Sequence, residues 1–232
     1  MAANPVVILP GLLEDADAFQ HQIEHLRGLA ACTVADLTRS DTIAGLAIEA
    51  LRQAPAGAFA LMGHSMGGYV ALEILRQAPG RVSKLALLNT NARPDSPEGT
   101  ENRRRLMALA EKQFESVITT LMPKLVTPGH LEDLDITGTI SEMALGVGKD
   151  AFIRQERAII GRIDSRPHLA KIGCRATVIA AREDALMPLD VVEELARGIP
   201  RATFAVVEDS GHMASLEQPE EVAKLLEAWL EM

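Results

Sequence analysis

The chain of 232 residues is long enough to bury the core of one domain and too short for two large ones. Hydrophobic residues make up 47% and charged residues 24%, ordinary globular usage that argues against disorder. A formal net charge of -9 repels phosphates at long range, which argues against nucleic acid and membrane surfaces and leaves a small molecule as the expected partner.

Six short apolar runs predict strands: Val6–Leu9, Thr33–Leu37, Phe59–Gly63, Leu85–Asn89, Thr177–Ala181 and Thr203–Val207. None shows the polar alternation of a half-exposed strand, so each reads as buried on both faces. Helical patterns lie between them, which predicts βα units and a doubly wound, mainly parallel sheet in a single α/β domain spanning residues 1–232.

Asp17 with Gln20 three residues later is a candidate capping box for the first helix. Between Asn89 and about Lys171 the strand signal disappears. A polar turn, Arg93–Thr100, leads into helices such as Glu101–Leu121 and Ala151–Ile163, and residues 91–170 read as an inserted helical lid. In the last helix Pro219, Glu220 and Glu221 suit the first turn, and Val222, Leu225, Leu226, Trp229 and Leu230 form one apolar stripe.

Cys32 and Cys174 lie in segments that read as buried strand edges, without metal-ligand spacing, and are expected to be reduced structural thiols. Met1–Leu13 lacks a basic leader region, and its apolar run is cut by Pro10 and Gly11. No apolar stretch approaches the roughly 18 residues of a membrane span. A cytoplasmic protein is expected.

The chemistry concentrates at Gly63-His-Ser65-Met-Gly67, placed between a predicted strand and a predicted helix. A sharp strand-to-helix turn strains the central residue, and small residues two positions either side relieve the crowding, so Ser65 is the candidate nucleophile. Phosphate-binding glycine motifs are absent.

A serine hydroxyl needs a base to take its proton, and His212, in Asp209-Ser-Gly-His212 after the last strand, is best placed of the six histidines. His64 should point away from its neighbour Ser65. His21, His25, His130 and His168 lack a strand-end position and read as surface or packing residues. Asp184, after the fifth predicted strand, is the candidate third member, with Glu183 one residue away as the alternative. The backbone N–H groups of Met66 and Leu12 are the candidate oxyanion donors.

With Gly-His-Ser-Met-Gly-Gly, the Asp184 loop and Ser-Gly-His-Met-Ala-Ser-Leu-Glu-Gln-Pro-Glu, the chain resembles the α/β-hydrolase superfamily over nearly its whole length. Its ending from Gly211 to Glu221 is similar to small esterases, enol-lactonases and carbon-carbon hydrolases of that superfamily. Three features depart from the pattern. Pro10-Gly11 replaces the usual His-Gly, the segment Asp36-Leu-Thr-Arg-Ser lacks the usual glycine-rich turn, and the chain begins at the family's third strand. The resemblance then implies six strands without the N-terminal hairpin.

The expected reaction is hydrolysis of a small carboxylic ester through an acyl-enzyme, with Ser65 attacking, His212 carrying the proton, Asp184 orienting His212 and no cofactor or metal required. Lactone or carbon-carbon bond hydrolysis by the same triad is the nearest alternative. An anionic substrate would call for a lid arginine facing Ser65, for which Arg154, Arg157 and Arg162 are candidates. A non-catalytic ligand-binding member is the alternative from another class. Leu106, Met107, Leu109, Leu121, Met122, Leu145 and Phe152 either line an acyl pocket or pack the lid onto the body, and packing is favoured for most. Glu14 and Asp15 would disfavour an anionic group if they faced the mouth.

Overall fold

Successive side chains of a strand point to opposite faces, so an uninterrupted apolar run can feed two cores at once. In the computed structural model, which describes residues 4–232, the first strand does this. Val6 and Ile8 pack into one core, and Val7 and Leu9 into the other.

The elements in order are β1 (Asn4–Leu9), a 3₁₀ turn (Ala16–Phe19), α1 (Gln20–Leu26), β2 (Ala30–Val34), α2 (Ile43–Gln53), β3 (Phe59–His64), α3 (Met66–Gln77) and β4 (Val82–Leu88). There follow α4 (Pro97–Ala110), α5 (Phe114–Leu125), α6 (Leu134–Val147), α7 (Lys149–Ile160) and α8 (Arg166–Leu169). The chain closes with β5 (Arg175–Ala181), α9 (Leu189–Gly198), β6 (Ala202–Val207), α10 (Ala214–Glu217) and α11 (Pro219–Glu231).

All six strands pair in parallel in the order β2-β1-β3-β4-β5-β6. On one face α2, α3 and α9 cover Val7, Leu61, Leu85 and Val178. On the other, α1 and α11 cover Ile8, Met62, Leu88 and Ile179. Trp229 is fully buried in the second core, on the α11 stripe read from the sequence.

The edge strands depart from the reading of strands buried on both faces. β2 alternates buried and accessible residues, and β6 leaves Phe204 37% exposed. A strand with one neighbour and one covering helix needs fewer apolar side chains than a central one. β2 also ends at Val34 rather than Leu37, because the Asp36 carboxylate accepts the N–H and hydroxyl of Thr38 and turns the chain out of the sheet.

The helix predicted over Glu101–Leu121 is two helices, α4 and α5, broken at Glu111-Lys112-Gln113. The break folds α5 back so that Leu106 and Ala110 meet Val117 and Ile118 in a third apolar cluster. At the start of the chain the cap is Asp15, which accepts the N–H of Asp17 and opens the 3₁₀ turn, while Gln20 begins α1. Cys32 and Cys174 are free, half-buried thiols, pushed up in pKa by burial. Among the described residues no helix is long and apolar enough to cross a membrane. The leader reading of Met1–Leu13 falls partly on residues 1–3, outside the described residues.

Candidate active site

Ser65 follows the last residue of β3 and precedes the first of α3, with φ 50° and ψ -116°. For a non-glycine residue this is strained backbone, held by its surroundings. Its N–H donates to the Leu88 carbonyl at 3.0 Å, and its carbonyl accepts the Thr90 hydroxyl at 2.7 Å. The flanking glycines are sterically required. A Cβ on Gly67 would lie 2.0 Å from the Leu9 carbonyl oxygen, and one on Gly63 2.5 Å from that of Gly67.

The carboxyl ends of β3, β5 and β6 bring three predicted side chains into one chain of hydrogen bonds. The Ser65 Oγ lies 2.9 Å from the His212 Nε2, and the His212 Nδ1 lies 2.8 Å from the Asp184 Oδ2. His212 and Asp184 are buried. The Asp184 Oδ1 accepts the backbone N–H groups of Leu186 at 2.8 Å and Met187 at 2.9 Å. Burial alone would raise the Asp184 pKa, but the His212 ring and these N–H donors outweigh it, and the carboxyl is held below the usual value of 3.8. Glu183, by contrast, is exposed.

Asn89 went unnoticed in the sequence beyond its place at the end of a strand. It stands just past β4 with φ 46°, and its amide Nδ2 contacts the Asp184 Oδ2 at 2.9 Å and the Gly211 and His212 carbonyls at 3.1 Å. One amide thus ties the carboxylate to the backbone that carries the imidazole.

His64 holds a defined position rather than a generic packing one. Its ring is fully buried, with Nδ1 2.8 Å from the Glu14 Oε2 and Nε2 2.9 Å from the His212 carbonyl. A carbonyl only accepts, so Nε2 carries a hydrogen. The same Glu14 oxygen accepts the Gly11 N–H at 2.7 Å. Glu14 therefore joins the loop after β1 to the backbone of His212, and it also lines the cavity beside Ser65 with its carboxylate held by Gly11 and His64. Asp15 is exposed.

The two candidate oxyanion donors sit on different elements. Met66 opens α3, Leu12 lines the cavity above Ser65, and neither N–H has a protein acceptor among the described residues. Next to Leu12, Leu13 adopts φ 62° and donates its N–H to the buried Gln155 Oε1 at 3.1 Å. Gln155, on α7, also donates to the Leu37 carbonyl at 3.1 Å. No pattern in the sequence marked it.

The cavity measures about 210 Å³ and runs from Ser65 and His212 up beneath α4–α7. Of the lid residues considered, Leu106 and Leu121 line it; Met107, Leu109, Met122 and Phe152 pack among the helices, and Leu145 is half exposed. None of Arg154, Arg157 and Arg162 lines the cavity. Arg154 donates to the Thr38 carbonyl, Arg157 is exposed, and Arg162 pairs with Asp95 above the Tyr69 ring. The arginine that does line it is Arg103, on α4, which the sequence did not single out. His25, at 2.7 Å from the Glu227 carboxylate, and His130, at 3.0 Å from that of Glu217, lie outside the cavity.

The sequence profile of the alpha/beta hydrolase family matches residues 6–225. The chain is 26% identical over 167 residues to the Agrobacterium fabrum protein named "Putative carbamate hydrolase RutD", a match spanning 70% of this chain and 63% of that protein, less than two thirds of its length. It is 24% identical to the (E)-2-((N-methylformamido)methylene)succinate hydrolase of Acinetobacter baylyi, with 98% of this chain and 90% of that protein aligned. Among solved structures it resembles a thermophilic esterase from Thermogutta terrifontis with malate bound, at TM-score 0.90 and 28% identity, covering 99% of this chain and 90% of the other. Matched by that profile over nearly all its length and sharing the fold of the solved esterase, the chain belongs to the alpha/beta hydrolase family.

Proposed function

We propose that the protein is a serine hydrolase of small carboxylic esters. The observation that carries this reading is the unbroken relay from the Ser65 Oγ through His212 to Asp184 at 2.9 Å and 2.8 Å, opening into a largely apolar cavity. Asp184 accepts the Nδ1–H, which leaves Nε2 free to take the Ser65 proton as the Oγ attacks the ester carbonyl. The oxyanion falls to the N–H groups of Leu12 and Met66, each worth a few kcal/mol in comparable sites. The imidazolium returns the proton to the departing alcohol. Water then cleaves the acyl-enzyme by the same relay in reverse, with no cofactor in the cycle.

The esterase likeness at 28% identity supports this substrate class. The same relay also suits lactone or carbon-carbon bond cleavage. The ester reading is preferred because the cavity wall near Ser65 is mostly aliphatic and its one arginine is already paired with carboxylates. A purely ligand-binding role would not require all three relay members. We place the enzyme in the cytoplasm.

The test is a panel of esters of graded acyl length assayed with wild type and Ser65→Ala, alongside labelling by a fluorophosphonate. Wild type should turn over short esters and be labelled, and Ser65→Ala should do neither while keeping its thermal midpoint. Ester hydrolysis persisting in Ser65→Ala would overturn the assignment.

A further inference from the structure

The four helices above Ser65 line the cavity unequally. α5 and α6 present Ile118, Leu121, Ile140 and Met143, whereas Arg103 of α4 and Glu156 of α7 put a charged pair into the same wall. Burying an ion pair in an apolar wall costs more than burying aliphatic side chains of similar size, so its presence needs a reason.

Part of the reason is mechanical. The Arg103 Nη1 donates to the Glu156 Oε2 at 2.7 Å, its Nε lies 3.3 Å from the Asp95 Oδ1, and the Arg162 Nη1 lies 2.7 Å from that same oxygen. This quartet staples α4, α7 and the loop before α4. The staple leaves two polar atoms unused. The Glu156 Oε1 has no hydrogen-bond partner although its side chain is 0% exposed, and the Arg103 Nη2 has no protein acceptor among the described residues. The Arg103 side chain is 21% exposed, the accessible member of the group.

Resting on the hydrolase reading above, we propose that Arg103 and Glu156 form a polar subsite of the cavity that takes a neutral hydroxyl group carried by the substrate away from its scissile bond. A hydroxyl is the simplest group with a lone pair for the Arg103 Nη2–H and a hydrogen for the Glu156 Oε1.

A carboxylate fits less well. Two guanidinium groups and two carboxylates already balance within the quartet, so an anionic substrate group would add a third negative charge beside Asp95 and Glu156. Lys124 is the further cation lining the cavity, and it is exposed on α5. An aliphatic terminus fits least well, because it would cover the two unused atoms without bonding to them.

The experiment uses two matched series. One varies the acyl side: methyl heptanoate, methyl ω-hydroxyhexanoate and the monomethyl half-ester of adipic acid. The other varies the alcohol side: propyl, hydroxyethyl and carboxymethyl butanoate. Binding of each to Ser65→Ala is measured by calorimetry, and turnover by wild type is measured separately. In at least one series the hydroxylated member should bind to Ser65→Ala roughly tenfold more tightly than its aliphatic match. In Ser65→Ala/Arg103→Met and Ser65→Ala/Glu156→Gln that ratio should fall to within about twofold.

Equal binding within both series, or tightest binding of the carboxylate, overturns the subsite whether or not wild type turns the esters over. Selective binding of the hydroxylated ester to Ser65→Ala, with no turnover of any member by wild type, leaves the subsite standing and removes the esterase reading. The single-site protein decides the ratio even if a double variant fails to fold.

Discussion

His64 and Glu14 form a second imidazole-carboxylate pair beside the first, with the Nδ1 of one 2.8 Å from the Oε2 of the other and both side chains closed to solvent. The pair touches no reacting atom. It bonds instead to two backbone segments that the proposed reaction would need in register, Gly11 in the loop after β1 and the carbonyl of His212. Glu14→Gln keeps the shape but weakens the hold on both. We expect kcat to fall about 10- to 100-fold with KM changed less than about threefold, since small misplacements of reacting groups act on the transition state. Steady-state kinetics on the best ester checks this, and a rise in KM alone would mean that Glu14 shapes the pocket instead.

The same pair gives a pH dependence of stability. Burial would lower the His64 pKa, but the field and hydrogen bond of Glu14, the His212 carbonyl and the field of Asp184 outweigh it, and the ring is held above its ordinary value of 6.5. A base raised on folding contributes fully below its unfolded pKa and loses that contribution as pH climbs through the folded value. The ionisable groups facing the ring are Glu14, Asp184 and His212. From about pH 6.5 upward the thermal midpoint of wild type should therefore fall more steeply than that of His64→Gln. Parallel profiles would contradict a charged His64 in the fold.

Asn89→Ala removes the amide shared by Asp184, Gly211 and His212 while keeping the backbone at a positive φ. Leaving buried acceptors without a donor costs on the order of 1–3 kcal/mol, read as a lower denaturant midpoint. Turnover should fall as well, because the carboxylate loses the contact that sets it against the imidazole. Asp184→Asn should be more severe in kcat, on the order of 10³- to 10⁴-fold, since the wrong tautomer of His212 then faces Ser65.

Gly67→Ala tests the elbow itself. Its new methyl would meet the Leu9 carbonyl at 2.0 Å, a backbone atom that cannot turn aside. The strain should cost more than about 3 kcal/mol or prevent folding, and it is checked by soluble yield and thermal unfolding. An alanine variant of wild-type stability would show that β1 and α3 can move apart.

Residues close in sequence, or anchored at strand ends, were the legible ones. Gly63, Ser65 and Gly67 sit within five positions and report a turn whose strain is local. His212 and Asp184 follow strands, and parallel topology delivers such residues to one edge. The choice between Glu183 and Asp184 was not legible, because it depends on which carboxylate collects the N–H groups of Leu186 and Met187. Nor was the break between α4 and α5, where apolar periodicity carries on across Glu111-Lys112-Gln113 and only packing of α5 against α4 requires the bend. Arg103, Gln155 and the Glu14–His64 pair were invisible for the same reason: each owes its place to partners 50 or more residues away.

Gln155 carries a consequence for how such enzymes are recombined. It fixes Leu13, the neighbour of a candidate oxyanion donor, across a sequence separation of 142 residues, and in the same amide group holds the loop at Leu37. The helical segment is therefore part of the scaffold of the candidate site and not an exchangeable cover. A chimera that grafts the helices of another hydrolase onto this sheet would keep Ser65, His212 and Asp184 in sequence, yet without a glutamine at this point it would release the left-handed turn at Leu13.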